Sequence, residues 1–545
     1  MIKLPKTIRE NLHFLSVEVD SQVASLQSFF EEPGNPRMRR ILDRAGYAYN
    51  LKTRIHNSTV QKLRAGKRRA QRDISLRSVE FIATDLERIA EISRNCVKQL
   101  EYVEHYGLLQ NKRHLKMLKR VRRGLNALED ALEARDSAPA IRIGQLNDRL
   151  LDDYKKLLRG YAAGLKAHPE HSEELIALLF VAYEFRQMGD ALLHISESII
   201  SANLGQPVSF ERYFSLQSLV AELDEDEDDL KIHTIAETRS GSAISGISGK
   251  EEESGYLAIF KDGEKRKLKE ERQGVRSWHE IYPGLAPRIL SYKKRGQSAA
   301  LLIEHLPGHT FEQIVLNESD ALVDETLKRL GKTLKSIWSQ TRTLEPVSAN
   351  FMQQMQKRLP EVYRIHPEFD QGDGFICGVP VTSFTTLVER LQEREKGWPA
   401  PFSVYIHGDF NVDNIIYDPL EKRINFIDLH RSRYMDYVQD VSVFMVSNYR
   451  LQILDVETRA RIMSLAQAFY KRAYRYARKQ QDELFEIRLA LGLARSFATS
   501  TRFIHDKSLA RRMFLRARYL LEQVDRLQPG EEKSYRIPMK EIFVD

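Results

Sequence analysis

Val404-Tyr-Ile-His-Gly-Asp-Phe-Asn-Val-Asp-Asn-Ile-Ile-Tyr417 sets two short apolar runs on either side of a polar loop, the pattern of two strands joined by the residues that carry chemistry. Nineteen residues beyond Asp409, Ile424-Asn-Phe-Ile-Asp428 presents another carboxylate at a strand end. Phosphoryl transfer needs one Asp to orient a hydroxyl and take its proton, and an Asn with a second Asp to hold Mg²⁺ on the phosphates. Asp409 fits the first role, Asn414 and Asp428 the second. A His-Gly-Asp tripeptide alone is common in turns. Joined to an Asn five residues after the Asp, flanking apolar strands and a downstream Ile-Asp, it is specific.

Upstream of this loop the chain changes character twice. From residue 1 to about 220, apolar residues recur at three- and four-residue spacing with few Gly or Pro breaks, which predicts helices almost throughout. Glu222-Leu-Asp-Glu-Asp-Glu-Asp-Asp229 is an acidic run that repels itself and reads as a connection, so a linker is expected over 221–230. Residues 231–310 then alternate in polarity, with strands expected at Tyr256–Phe260, Ala286–Tyr292 and Ala299–Glu304 and a helix over Lys267–Ile281. Residues 311–545 return to helix, apart from the central strands. The predicted class is α+β, a two-lobed domain preceded by an all-α bundle.

At 545 residues the chain is too long for one core. Its two cysteines, Cys96 and Cys377, lie far apart and exclude a disulfide scaffold or thiolate metal cluster. The N-terminus lacks an apolar targeting core, and the longest apolar run, Leu175 to Tyr183, is half of what spans a bilayer. A cytoplasmic protein is expected, at most peripheral to the inner face of the membrane. The net charge of +8 points to an anionic partner. Basic runs at Lys62–Arg72 and Lys112–Arg123 read as solvated helix faces, and no second signal supports nucleic-acid binding.

The His407-Gly-Asp409, Asn414 and Asp428 pattern resembles the aminoglycoside phosphotransferase and choline kinase superfamily. That resemblance implies a protein-kinase-like fold, ATP and Mg as cofactors, Asp409 as the catalytic residue and Asn414 and Asp428 as metal ligands. His407 is then expected to brace the loop, and Asp440 to hold its backbone. By the same resemblance, Gly241 and Ser242 in Thr238-Arg-Ser-Gly-Ser-Ala-Ile-Ser-Gly246 belong to a phosphate loop. Lys261 contacts phosphates and is partnered by Glu271, with Glu270 as the alternative. Leu301-Leu-Ile-Glu-His-Leu-Pro-Gly308 is the hinge, where backbone groups around Glu304 to Leu306 read adenine.

In the N-terminal region, Phe81-Ile-Ala-Thr-Asp-Leu-Glu-Arg-Ile-Ala-Glu91 and Phe180-Val-Ala-Tyr-Glu-Phe-Arg-Gln-Met-Gly-Asp190 repeat in phase 99 residues apart. This resembles the phosphate-uptake regulator (PhoU) family of tandem three-helix bundles, with Leu86-Glu-Arg-Ile-Ala-Glu91 close to its signature helix. Metal binding at Glu87 and Glu91 stays open against a charged solvent face, because Arg186 replaces the expected Glu in the second copy.

The expected reaction is ATP- and Mg-dependent phosphorylation of a hydroxyl on a small molecule or glycolipid, with the helical domain regulating it or docking a protein partner. Arg472, Arg475, Arg478, Arg488, Arg495, Arg502, Arg511 and Arg512 favour an anionic acceptor over a polycation. Asp428-Leu-His-Arg431 departs from the superfamily and resembles the bacterial lipopolysaccharide heptose kinases. The alternative is a non-catalytic ATP-sensing regulator that docks on a phosphate transporter or a signalling kinase.

Overall fold

A computed structural model of the chain describes residues 4–33, 40–65, 70–134, 137–204, 231–237, 243–248, 258–295, 298–453 and 455–544. The expected linker over 221–230 and the candidate residues Gly241 and Ser242 lie outside them. The chain divides into two compact units, one built mainly on residues up to 237 and the other mainly on residues from 256 onward.

The first unit is helical, with long helices at Lys6–Glu31, Ala45–Ala65, Ala70–Leu100, Asn111–Asn126, Leu146–Ala167 and Ser172–Leu204. Their apolar stripes meet in one core that includes Leu15, Val19, Leu86, Ile89, Val121, Leu178 and Phe185. The repeated segments lie within Ala70–Leu100 and Ser172–Leu204, which pack on one another. Arg88 Nη2 donates to Gln187 Oε1 at 3.2 Å, joining equivalent positions of the two copies. Glu87 is paired with Lys52 at 3.1 Å and Arg94 at 3.3 Å, and Arg186 with Asp190 at 3.5 Å, so these charges of the repeat are engaged in ion pairs. At one end Glu174 Oε2 accepts from the Glu104 and His105 amides, while its Oε1 meets Nδ1 of His105 and of His171 at 2.8 and 3.0 Å.

The second unit is a bilobal, protein-kinase-like α+β fold. In its smaller lobe Ser298–Glu304 lies between Ala258–Glu264 and Ile289–Arg295, antiparallel to both, with Lys261 opposite Leu301. The first strand runs on to Glu264 because its pairing continues to Ser298, and helix Lys265–Ile281 leaves directly from it. The third starts beyond Pro287, which has no N–H to give a ladder. The helix lays Leu268 against Leu301 and Ile303 of the sheet, and buries Val275 and Trp278 in the core of the larger lobe.

That larger core is surrounded by helices Asp320–Gln340, Phe384–Glu395, Val438–Tyr449, Val456–Lys479, Phe485–Ser500 and Lys507–Asp525. Helices Val438–Tyr449 and Phe485–Ser500 are buried on every side. The hairpin Ile415–Asp418/Arg423–Phe426 pairs Tyr417 with Ile424, and Val404–Ile406 pairs with a strand that local pattern does not announce, Arg433–Met435. Among the described residues no helix is long and apolar enough to cross a membrane.

Candidate active site

The loop between Ile406 and Ile415 is held from behind. Asp440, in the first turn of Val438–Tyr449, accepts the His407 amide at 2.8 Å and the Gly408 amide at 2.9 Å. Burial pushes its carboxyl up to about 7, against the pull of those two donors. His407 is fully buried; its Nε2 donates to the Ile427 carbonyl at 2.9 Å while its Nδ1 accepts the Asp409 amide at 3.3 Å. These two bonds assign the Nε2–H tautomer, and burial lowers the ring's pKa, so His407 is a neutral brace between the loop and the residue before Asp428. Gly408 has φ +83°, and a Cβ there would stand 2.4 Å from the Arg431 carbonyl, so only glycine fits.

Asp409 Oδ1 accepts from Asn411 Nδ2 at 2.9 Å, and Oδ2 meets Arg431 Nη1 at 3.1 Å. Asn414 Nδ2 donates to the Asp409 carbonyl at 2.9 Å, which commits its amide nitrogen and leaves its carbonyl oxygen for a cation. Asp428 sits at φ +62°, a left-handed backbone held for a non-glycine residue, with Oδ1 3.7 Å from Lys261 Nζ and 3.4 Å from His430 Nδ1.

Lys261 Nζ reaches Glu271 Oε1 at 3.1 Å, with Lys261 and Glu271 only 7% and 3% exposed. Burial lowers the lysine's pKa, but Glu271 and Asp428 more than offset it and raise the pKa above the ordinary value. Burial opposes ionisation of Asp428 too, and Lys261 overcomes it, so this carboxyl is held well below its usual range. The hydrogen bond to Asp428 raises the His430 pKa. Strand, helix and loop thus meet at one charged centre, where Glu271, Asp428 and His430 bring donor atoms within 4.8 Å of one another.

Helix Lys265–Ile281 can approach because Gly274 lacks a side chain: a Cβ would stand 2.0 Å from the Leu429 carbonyl. Trp278 Nε1 donates to Ser432 Oγ at 2.8 Å, and Ser432 Oγ donates to the His407 carbonyl at 3.2 Å. The helix that supplies Glu271 is therefore pinned to the His407 loop. In the segment expected to be the hinge, the Glu304 amide donates to the Arg288 carbonyl at 2.9 Å and its carboxylate accepts the Arg288 amide at 3.0 Å. Leu306 is buried, and among the described residues its backbone has no hydrogen-bond partner.

Six of the sequence-predicted residues therefore come together: Lys261, Glu271, His407, Asp409, Asn414 and Asp428. Sequence reasoning overlooked Arg358, a half-buried arginine that feels the charges of Arg431 and Asp409 and whose position carries no local signal, and did not give Arg431 its place at Asp409. The nearest clue was the departure Leu429-His-Arg431. Of the arginines expected along an acceptor wall, Arg495 and Arg502 act electrostatically on Asp409's surroundings. Arg488 instead closes a buried network with Asp436 at 2.8 Å and Asp482 at 2.6 Å.

No curated protein matches the chain. Among solved structures, PhoU from Pseudomonas aeruginosa is similar at 17% identity and a TM-score of 0.34, covering 36% of this chain and 94% of its own. An aminoglycoside-3'-phosphotransferase of type VIII is similar at 16% identity and a TM-score of 0.34, covering 51% of this chain and 97% of its own. Choline kinase from Cryptosporidium parvum Iowa II is similar at 13% identity and a TM-score of 0.33, covering 57% of this chain and 91% of its own. At those scores the likenesses carry no argument about chemistry. The family model described as phosphotransferase enzyme family matches residues 258–478. The C-terminal half of the chain carries a domain of the phosphotransferase enzyme family.

Proposed function

We propose that this domain transfers the terminal phosphoryl group of ATP, with Mg²⁺, to a hydroxyl of a small molecule or glycolipid. The observation that carries the reading is the convergence of Lys261, Glu271 and Asp428 on one ion-paired centre, with Asn414 bonded to the backbone of Asp409. Asp409 is the catalytic residue, receiving the acceptor's hydroxyl hydrogen; His407 fixes the loop around it. Asn414 and Asp428 offer hard oxygens of the kind Mg²⁺ takes, and Asp428 stays ionised over the working pH range. Bound Mg²⁺ would neutralise phosphate charge. Lys261, held charged by Glu271, takes the nucleotide phosphates; Gly241 and Ser242 supply the phosphate loop, and backbone groups from Glu304 to Leu306 receive adenine. The domain divides at 231–310 and 311–545 into the two lobes, behind a helical domain over 1–220 and a linker over 221–230. The helical domain regulates the kinase domain or docks a protein partner, and the protein works in the cytoplasm or at the inner face of the membrane.

One contact favours a second reading, an ATP-sensing regulator without turnover: Arg431 sits on Asp409 Oδ2. Asp409→Ala separates the two. Phosphotransfer predicts that acceptor-dependent ATP consumption falls by several orders of magnitude while nucleotide binding, measured by calorimetry, survives. Cellular function unchanged in Asp409→Ala but abolished in Lys261→Ala would support the regulator and rule out the kinase.

A further inference from the structure

We infer that the acceptor carries a phosphate group, or an anion of equivalent charge and shape, and that it is seated by Arg358, Arg431, Arg495 and Arg502 beside Asp409; this rests on the phosphotransferase reading. The four arginines come from separate places in the chain. Arg431 pairs with Asp409 at 3.1 Å. Arg495, on helix Phe485–Ser500, donates to Gln439 Oε1 at 2.8 Å, and Gln439 Nε2 in turn donates to the Gly408 carbonyl at 3.4 Å, which ties this arginine to the catalytic loop. Arg502 pairs with Glu361 at 3.2 Å, and Glu361 lies in the helix Leu359–Ile365 that Arg358 precedes.

The cluster is under-neutralised. The carboxylates acting on it are Asp409, the half-exposed Glu361 and, on Arg495, the buried Asp440 and Glu395, whose oxygens already accept backbone amides and whose pKa values burial raises. Arg495 is 8% exposed and its buried Nε has no hydrogen-bond partner. The Arg358 side chain, half-buried, has neither an ion pair nor a hydrogen bond among the described residues. Burial, and then the charge of Arg358, bring Arg495 down to about 9 and Arg502 to about 10. Gathering like charges in a partly buried place costs free energy that the chain itself does not recover. A phosphate ester would recover it, because guanidinium forks match its oxygens two at a time. A polycation would meet repulsion instead.

The position of Arg431 adds a consequence. Arg431 pairs with Asp409, so an anion seated on the cluster competes for it and releases the carboxylate for the acceptor hydroxyl. Acceptor binding is thereby coupled to availability of the catalytic group.

Calorimetry on the full chain, with the nucleotide site filled by a non-hydrolysable ATP analogue and Mg²⁺, tests this. Inorganic phosphate and glycerol 3-phosphate are expected to bind, glycerol and kanamycin not to bind. Phosphate affinity is expected to fall about tenfold or more in both Arg358→Gln and Arg495→Gln. Arg358→Gln removes a partly exposed, unpartnered side chain and guards against misfolding, with thermal melting as the check. Phosphate binding that both variants retain, or that requires Lys261 instead, would overturn the proposal. So would kanamycin binding in preference to phosphate. Failure of the ATP analogue to bind would count against the phosphotransferase reading alone, since phosphate binding to the arginines is measurable without it.

Discussion

Lys261 and Glu271 are both buried, and each makes the other's charge tolerable. Lys261→Met leaves Glu271 in the interior facing Asp428, and is expected to destabilise the second unit by about 3 kcal/mol. The double variant Lys261→Met/Glu271→Leu removes the stranded charge and should recover much of that loss. Thermal melting of the two checks it; equal melting temperatures would show that the pair is not coupled. At this scale much was legible in the sequence. Asp409, Asn414 and Asp428 sit at fixed offsets around apolar strands, and Lys261 lies on an apolar strand with Glu271 on the helix that follows it. Arg358 and Arg495 had no such signal, because only tertiary packing brings two helices and a loop to one carboxylate. Arg488 reads as a wall charge in the sequence; its partner Asp436 lies 52 residues away, and Asp482, only six residues before it, lies outside the helix that carries Arg488, so neither pairing shows without the fold.

Helix Phe485–Ser500 is buried nearly all round, and Arg488 is where it is fastened. The guanidinium bonds Asp436 and Asp482, and Tyr437 donates to Asp482 at 2.7 Å. Arg488→Met is expected to cost roughly 3–5 kcal/mol, because two carboxylates remain buried. Denaturant unfolding measures it, and a loss below about 1 kcal/mol would contradict the assignment. Helix Lys265–Ile281 makes a second test at Gly274. Gly274→Ala pushes the helix off the Leu429 carbonyl and should lower nucleotide affinity along with melting temperature, a pairing that a change at an indifferent helical site would not produce. Element types followed from periodicity, while element ends did not. The strand expected to stop at Phe260 continues to Glu264 because a neighbouring strand offers it partners, and Arg433–Met435 forms only because Val404–Ile406 lies beside it.

For the molecule as a whole, the helical unit should respond to pH through His114. This ring is buried against Phe30 with centroids 4.6 Å apart, bonds the Gln110 carbonyl at 3.1 Å, and is held down to about 4 by burial. The unfolded chain takes up that proton near 6.5, so the contribution is fully present above that pH and is lost as pH falls towards 4. At about pH 5 the loss is about 2 kcal/mol. Chemical unfolding of the wild type and of His114→Gln at about pH 7.5 and about pH 5 isolates it; the wild type should lose the additional stability, and parallel losses in both would contradict the origin. The repeat made two related helical segments legible, and Arg88–Gln187 joins them at matching positions.

The most direct test of phosphotransfer is movement of label from ATP. Incubating the purified chain with γ-³²P ATP, Mg²⁺ and a small-molecule and glycolipid extract should yield labelled product with the wild type and none with Asp409→Asn, although both bind nucleotide. Equal labelling by the two proteins, or nucleotide binding with no transfer by either, would contradict it.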